Sequence, residues 1–310
     1  MLKLRLCSSL ILLLALSACA TSSHQLGAPA PGKALGSAEM EKLIDQPGPI
    51  ELTTIASVEW AVPLDGLVNL KSPTAIAAGL TDHDEPIQVY AHVLHHPQRG
   101  YFLVDTGVAQ SVLDDPGKAG VSWLVRRGMP VDTMKMRKST AAIVHDLPSP
   151  LQGVMLTHMH LDHIAGLPEV PGNVPIYIGP GESTHTSWIN VLMQGTTDNM
   201  LNGKAPLQEW PFQPDAQQRF DGILDVFGDG SVFAISVPGH TAGSVAYLVR
   251  TTRGPVLLTG DTSHTRWGWE HTVEPGDYTD DKPRNLVSLK QLKALVAAHP
   301  SIEVRFGHQP

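Results

Sequence analysis

A short segment of the chain carries four side chains that can bind a metal ion. His158, His160, Asp162 and His163 lie within six residues, directly after the apolar run Val154–Leu156. On an extended or turning loop, His158 and His160 point the same way because side chains alternate with a period of two. Asp162 and His163 follow where the chain enters a predicted helix, and they can face a neighbouring position. This loop can therefore serve two metal ions at once.

Three further candidate ligands repeat the order of a predicted strand followed by a polar side chain. His240, Asp261 and His308 each come two or three residues after an apolar run. Taken singly, each is typical of a turn after a strand, and a solvated histidine-rich loop is the simpler interpretation of His158–His163. Ligands and catalytic groups concentrate on loops at strand ends, however, so the four coincidences support one another.

The composition limits the metals and partners that such a site can serve. Lys plus Arg number 22 against 30 Asp plus Glu, and the formal net charge of -8 gives no support for binding a nucleic-acid backbone. The two cysteines, Cys7 and Cys19, lie in the first twenty residues. A metal site in the remainder therefore consists of imidazoles and carboxylates, which suit Zn²⁺, with Fe, Mn or Co as alternatives.

Short β-rich runs bounded by Gly or Pro recur along the chain and predict many strands. Segments compatible with helices lie between some of them, at Val121–Arg127, Glu182–Met193 and Leu286–Ala298. Because several strand pairs are close enough for hairpins, we predict an α/β fold built as a layered sandwich rather than a purely parallel sheet. The predicted strands lie around Leu52–Val62, Ile87–Leu94, Tyr101–Val104, Val154–Leu156, Val174–Ile178, Ser231–Val237, Ser244–Val249, Val256–Leu258 and Ile302–Phe306.

Residues 1–18 have the features of a signal peptide. Lys3 and Arg5 precede the apolar run Leu10–Leu16, which is too short to span a bilayer. The next residues, Leu16-Ser17-Ala18-Cys19, resemble the lipobox of bacterial lipoproteins, in which cleavage leaves a lipid-modified cysteine as the new N-terminus. An ordinary secretory signal with a chance cysteine is the alternative. Either interpretation exports the protein.

Acyl chains on Cys19 would anchor the protein firmly in a membrane, since each buried methylene contributes about 0.8 kcal/mol. Ala20 rather than Asp follows the cysteine, which in lipoproteins of Gram-negative bacteria usually indicates outer-membrane sorting. We therefore predict a protein on the periplasmic side, anchored to the outer membrane. The Ser-, Gly- and Pro-rich residues 19–48 predict a flexible tether, and residues 49–310 predict one domain.

The candidate ligands match, in order and spacing type, those of the metallo-β-lactamase superfamily. The resemblance covers most of the chain from about residue 85, because Phe102-Leu103-Val104-Asp105-Thr106-Gly107 also resembles the early strand-and-turn signature of that superfamily. It implies a four-layer αββα sandwich with the metal site at the edge of its two sheets. It also implies that Asp105 is buried and orients the site, although Asp-Thr-Gly alone is equally a tight turn.

The resemblance implies a dinuclear site with a role for each ligand. The first metal is held by His158, His160 and His240, the second by Asp162, His163 and His308, and Asp261 bridges the two. Two divalent cations in such a site would share a water and lower its pKa toward about 7, which would make hydroxide available as the nucleophile. Nothing in the sequence resembles a nucleophile elbow or a phosphate-cradling loop.

Within the superfamily, the chain most resembles the N-acyl homoserine lactone lactonase group. Asp261 argues against true metallo-β-lactamases, and His160 in place of Glu argues against the di-iron oxygen-reducing branch. The lactonase group usually carries a Tyr three residues after the bridging Asp, where it hydrogen-bonds the substrate carbonyl. Here that position is His264. A neutral imidazole can donate a similar bond or protonate the leaving group, so His264 and Asp162 are the candidate catalytic residues.

We therefore predict an exported hydrolase that uses two divalent metal ions, Zn²⁺ by ligand type, to open a lactone or related ester. Hydrolysis of a phosphodiester, or of a thioester as in glyoxalase II, at the same metals is the second interpretation. A non-catalytic lipoprotein that sequesters zinc is the third, and the complete ligand set opposes it. The expected partners are a small-molecule ester and, through Cys19, the membrane.

Overall fold

The structure, a computed structural model, describes residues 20–310, so the predicted signal peptide and Cys19 lie outside the described residues. The strands form two mixed sheets. The first sheet consists of β2 (Glu51–Pro63), β3 (Asp84–His96), β4 (Gly100–Val104), β5 (Lys135–Met136), β6 (Leu151–Met155), β7 (Ile176–Ile178) and β8 (Leu207–Glu209). The second consists of β1 (Lys33–Leu35), β9 (Ile223–Asp225), β10 (Val232–Ser236), β11 (Val245–Thr251), β12 (Gly254–Leu258) and β13 (Glu303–Arg305). Their spatial orders are β5-β2-β3-β4-β6-β7-β8 and β1-β9-β10-β11-β12-β13.

Helices and short turns connect the strands. The helices are α1 (Ser37–Ile44), α2 (Leu64–Leu67), α3 (Pro73–Ala77), α4 (Gln110–Asp114), α5 (Trp123–Gly128), α6 (Thr140–His145), α7 (Leu161–Ile164), α8 (Asn190–Met200), α9 (Arg266–His271) and α10 (Lys282–Ala298). Single 3₁₀ turns lie at Val131–Thr133, Leu167–Glu169 and Gly260–Thr262. Between residues 20 and 310, no helix combines the length and the apolar character needed to cross a lipid bilayer.

The two sheets and the helices on their outer faces form four layers, and three apolar clusters lie between these layers. In β4, Leu103 faces outward and belongs to the cluster that includes Val112 of α4 and Val125 of α5. The alternate residues Phe102 and Val104 face the second sheet and belong to the cluster between the sheets. The period of two therefore gives one strand two buried faces. On the far side, α1 and α10 contribute to a third cluster against β10 and β11. This arrangement is the predicted αββα sandwich.

The predicted tether is wrong for the described residues 20–48, which belong to the folded domain. Ala20 forms a β-bridge with Thr186, and β1 pairs with β9 at the edge of the second sheet. Met40 and Ile44, spaced four residues apart on α1, are fully buried. The Gly, Pro and Ser residues here form turns between short elements instead of a linker, because an apolar helix face holds the segment against β10.

The predicted strands coincide with strands of the structure, whereas one predicted helix does not. Residues 182–189 form turns and a β-bridge, and α8 begins only at Asn190. Two contacts account for this difference. The backbone of residues 183–186 pairs with the start of the described chain, and the side chain of Glu182 turns inward to bind backbone groups.

Candidate metal centre

The candidate ligands lie where several strands end at one edge of the sandwich. β10 and β12 both run antiparallel to β11, and β13 is parallel to β12, so the carboxyl ends of β10, β12 and β13 share one edge. The segments that follow them carry His240, Asp261 and His308. The loop after β6 reaches this edge from the other sheet, where the Val245 N–H donates to the Thr157 carbonyl over 2.8 Å.

Four side chains form a first cluster, consisting of His158, His160, His240 and Asp261. One ligand atom from each lies within 4.8 Å of the others. Nε2 of His240 is 3.2 Å from Nε2 of His158 and 2.9 Å from Nδ1 of His160. His158, His240 and Asp261 are buried, whereas His160 is partly exposed. The cluster therefore opens toward solvent on the His160 side.

Three side chains, Asp162, His163 and His308, form a second cluster. Nε2 of His308 lies 3.3 Å from Oδ2 of Asp162. Oδ2 of Asp261 connects the two clusters, since it is 3.3 Å from Nε2 of His163 and 3.4 Å from Nε2 of His240. The structure thus brings all seven predicted ligands together, with Asp261 between the two groups.

The geometry of these atoms fits divalent cations. Within the described chain, Nε2 of His163 and Oδ1 of Asp261 are buried and have no hydrogen-bond partner. Buried polar atoms are rarely left without one. In addition, three imidazole nitrogens converge at 2.9 and 3.2 Å. Zn–N bonds of about 2.0–2.1 Å in a tetrahedron separate ligand atoms by roughly 3.3 Å. The donor set therefore suits two cations held by imidazole and carboxylate.

Asp105 orients one side of the centre, as the family resemblance implied. Its buried carboxylate accepts hydrogen bonds from Nδ1 of His163 and from the Thr157 N–H, each over 2.8 Å. Because Nδ1 of His163 donates to Asp105, Nε2 is the nitrogen left to bind an ion in the second cluster. Asp105 adopts a left-handed backbone conformation, with φ of 54°. This conformation is uncommon outside Gly and is better tolerated by Asp than by most residues.

Hydrogen bonds to the remote ring nitrogen hold two further ligands in the same way. Nδ1 of His240 lies 3.1 Å from Oγ1 of Thr279, and Nδ1 of His308 lies 3.0 Å from the Gln88 carbonyl. A carbonyl only accepts, so Nδ1 of His308 donates there and Nε2 is the nitrogen left to face the centre. These contacts present the coordinating nitrogens before any ion binds.

The charges around the centre set different protonation states for the candidate ligands. Burial lowers the pKa values of His158 and His240 well below the ordinary histidine value, so both rings are neutral at pH 7. Burial raises the pKa of Asp261, but the neighbouring imidazoles, His308 first, outweigh it and hold that pKa well below the usual range. His163 differs, because the effect of burial, which lowers its pKa, is outweighed by Asp261, Asp105 and Asp162 together, and the pKa is raised well above the ordinary value. A cation must therefore displace a proton from His163.

His264 lies at the centre, but its geometry does not allow one of its predicted roles. Its Nδ1 is 3.1 Å from the Leu67 carbonyl, which only accepts, so Nδ1 donates there. That Nε2 lies 3.0 Å from Oδ2 of Asp261. Because Nε2 points at Asp261, a hydrogen on it is directed at that carboxylate and not at a substrate carbonyl. Instead, His264 groups with Asp261 and His308 as a third set of possible ligands.

Glu182 is a buried carboxylate at the centre that the sequence analysis did not identify. It accepts hydrogen bonds from the Met159 N–H over 2.7 Å, from the Thr241 hydroxyl over 2.7 Å and from the Gly243 N–H over 2.8 Å. Met159 lies between two ligands of the first cluster, and Thr241 follows a third. Glu182 thus ties the two ligand loops together. In the sequence it appears only as an acidic residue after a Gly-Pro-Gly turn.

We expect Glu182→Gln to lower kcat/KM by about 10- to 100-fold, the usual effect of losing a residue that orients metal ligands. The amide nitrogen of Gln cannot accept a hydrogen bond, so at least one buried donor loses its partner. Steady-state kinetics and metal content measure the effect. Glu209→Gln is the matched control, because within residues 20–310 the Glu209 carboxylate accepts a single hydrogen bond, from the N–H of Gly181, the neighbour of Glu182. Equal activity of the two variants would contradict this role for Glu182.

Comparison with known sequences identifies relatives of this chain. The family described as the metallo-β-lactamase superfamily matches residues 84–308. The chain is 26% identical over 245 residues to the N-acyl homoserine lactonase AttM of Azorhizobium caulinodans, an alignment that covers 74% of this chain and 84% of that protein. It is 28% identical over 232 residues to an N-acyl homoserine lactonase of Bacillus sp, covering 73% of this chain and 82% of that protein.

Solved structures share the fold at lower sequence identity. A quorum-quenching N-acyl homoserine lactone lactonase superposes with a TM-score of 0.57 at 21% identity, over 86% of this chain and 94% of that chain. The dizinc quorum-quenching lactonase AidC superposes with a TM-score of 0.53 at 14% identity, over 90% and 91%. The family match contains all seven candidate ligands, and the sandwich places them together. The chain therefore belongs to the metallo-β-lactamase superfamily and is a metallohydrolase.

Proposed function

We propose that this metallohydrolase opens the ring of an N-acyl homoserine lactone or a closely related lactone. The observation that carries the proposal is Asp261, whose Oδ2 lies within 3.4 Å of imidazoles from both clusters and so joins them into one dinuclear site. The relatives that align over about three quarters of the chain are N-acyl homoserine lactonases.

The chain's own residues prepare the site for ester hydrolysis. When bound, two divalent cations supply a water of lowered pKa and polarise the ester carbonyl. His158, His160 and His240 would hold one cation, Asp162, His163 and His308 the other, and Asp261 both. Asp105 and Glu182 keep the ligand loops in place. The partly exposed His160 marks the side from which a substrate enters.

We expect His264→Phe to weaken binding of the second metal ion by about 10- to 100-fold. Phe keeps most of the ring volume but removes Nε2, which points at Asp261 and His308. Competition with a calibrated chelator measures the affinity of each ion. Unchanged metal affinity together with lost lactonase activity would instead assign His264 to the substrate.

Export and membrane anchoring belong to the same proposal. The basic residues, the apolar run Leu10–Leu16 and the sequence Leu16-Ser17-Ala18-Cys19 support cleavage before Cys19 and its lipid modification. The protein then resides on the periplasmic side, attached to the outer membrane of a Gram-negative cell. Mass spectrometry of the N-terminal peptide from the purified protein tests this, since acylation adds a large defined mass to Cys19. An N-terminal peptide that begins at Met1 would refute it.

A substrate panel tests the reaction. The purified protein is assayed with an acyl homoserine lactone, a thioester and a phosphodiester, each with and without chelator. We expect the lactone to have the highest kcat/KM and chelation to abolish its hydrolysis. A preference for the thioester or the phosphodiester would assign the glyoxalase II-like or phosphodiesterase reaction instead. Two bound metal ions without turnover of any ester would support the non-catalytic interpretation.

A further inference from the structure

Five large apolar side chains are exposed on two neighbouring segments of the surface. They are Trp123 and Leu124 at the start of α5, and Trp188, Val191 and Leu192 at the start of α8. Trp188 is 77% exposed, Trp123 64% and Val191 62%. We refer to these five residues as the Trp face. Monomeric soluble proteins rarely expose contiguous apolar patches of this kind unless another surface covers them.

The helices that carry the Trp face pack against each other. The Ser122 N–H donates to Oγ1 of Thr196 over 3.1 Å, and the side chain of Asn199 donates to the Gly120 carbonyl over 2.8 Å. The exposed residues of α5 and α8 therefore belong to one region of the surface. Arg126 and Arg127, at the end of α5, are also exposed. Exposed tryptophans beside arginines are typical of protein surfaces that lie in the headgroup layer of an anionic bilayer.

The described chain begins beside this face. Ala20 forms a β-bridge with Thr186, two residues before Trp188. The Thr21 N–H donates to the His185 carbonyl over 3.0 Å. The next two residues are also held, because the hydroxyls of Ser22 and Ser23 both donate to the carboxylate of Asp198 in α8. The residue bonded to Ala20 is Cys19, and consecutive Cα atoms are about 3.8 Å apart. Acyl chains on Cys19 would therefore start next to the Trp face, with no tether between.

We propose that the Trp face lies in the interface of the lipid bilayer that receives the acyl chains of Cys19. The five side chains insert among the lipid headgroups and upper acyl chains, and Arg126 and Arg127 face anionic headgroups. This proposal rests on the anchoring proposed above. The domain would then hold one fixed orientation on the membrane and would not be attached through a flexible tether.

The fixed orientation has a consequence for substrate access. The loop that pairs with Ala20 also approaches the metal centre, because Nε2 of His185 lies 3.8 Å from the carboxylate of Asp280. The Asp280 N–H donates to the carbonyl of His240, a ligand of the first cluster, over 3.0 Å. The metal centre therefore lies on the membrane-proximal side of the domain. A lactone whose acyl chain is dissolved in the bilayer can reach the centre without complete transfer into water.

Quenching of tryptophan emission by brominated lipid tests the proposal. The full chain, purified from membranes, is reconstituted into vesicles of phosphatidylethanolamine and phosphatidylglycerol whose acyl chains carry bromine near the headgroup. We expect the emission to be quenched relative to unbrominated vesicles. The double variant Trp123→Phe/Trp188→Phe should lose this quenching. Trp267→Phe is the matched control, because Trp267 stacks on His271 outside the Trp face and its removal should leave the quenching unchanged.

The mass of the N-terminal peptide shows whether Cys19 is acylated, so failure of the Trp face proposal can be distinguished from failure of the anchoring proposal. With acylated Cys19, unquenched emission overturns the Trp face proposal and leaves the anchoring intact. With unmodified Cys19, quenching by added vesicles supports the face as a membrane surface and refutes the anchor, whereas no quenching refutes both. A wild-type dimer that becomes monomeric in the double variant, without quenching, would assign the face to a second copy of the chain and overturn the proposal. Metal content checks that each variant is folded.

Discussion

Asp261→Ala is expected to lower kcat/KM by more than about 10³-fold and to reduce the tightly bound metal from two ions to one or fewer. The reason is the position of one oxygen atom. Oδ2 of Asp261 lies 3.3 Å from Nε2 of His163, 3.2 Å from Nε2 of His308 and 3.4 Å from Nε2 of His240. Removing the carboxylate takes the shared ligand from both clusters and leaves several buried imidazoles without a counter-charge.

Three measurements establish this result. Metal content shows the loss of an ion, kinetics on the lactone show the loss of turnover, and circular dichroism shows that the sandwich persists. Asp277→Ala is the control, because Asp277 pairs with Lys282 at the surface. A second variant disturbs the Asp261 side chain without replacing it. A Cβ at residue 307 would overlap Oδ1 of Asp261, so Gly307→Ala should also lose activity. An Asp261→Ala enzyme with full activity would contradict the assignment of the centre.

The metal ligands could be predicted from the sequence because each follows a strand that the sequence marks clearly. Interior strands such as β6 and β12 contain short apolar runs, and the His and Asp residues that follow them are types that bind metal ions. The convergence of His240, Asp261 and His308 depends on the relative directions of β10, β12 and β13. That topology was implied by the family resemblance and not by the strands themselves.

Three features of the structure could not be predicted from the sequence. The segment 20–48 has the composition of a linker, but its strand pairing with β9 and the burial of Met40 and Ile44 show that it belongs to the domain. Glu182 carries no local signal, because its function is defined by three donors that lie 23 to 61 residues away. The tautomer of His264 likewise depends on the Leu67 carbonyl, 197 residues distant. In each case a long-range contact overrides what the local sequence indicates.

Removal of the metal ions is expected to abolish activity completely and to lower the melting temperature while the fold is retained. Ligands that bind only the native state stabilise it, by about 4 kcal/mol when present at 1,000 times their Kd. For a domain of this size, each kcal/mol corresponds to a shift of roughly 2–4 °C. One site occupied at that level thus predicts a decrease of about 10 °C on chelation. Readdition of zinc should restore both activity and melting temperature.

The fold should survive chelation because three apolar clusters, and not the metal centre, hold the layers together. The affinity of the metal-free protein for zinc should decrease as the pH is lowered. The carboxylates around His163, Asp261 first, raise its pKa above the ordinary histidine value, so the metal-free native state keeps a proton there that zinc must displace. Apparent zinc affinity, measured by competition with a chelator of known pH dependence, should therefore fall as the pH is lowered from 8 to 6. A chelated protein that retains full turnover would show that the reaction needs no metal, and the dinuclear assignment would be wrong.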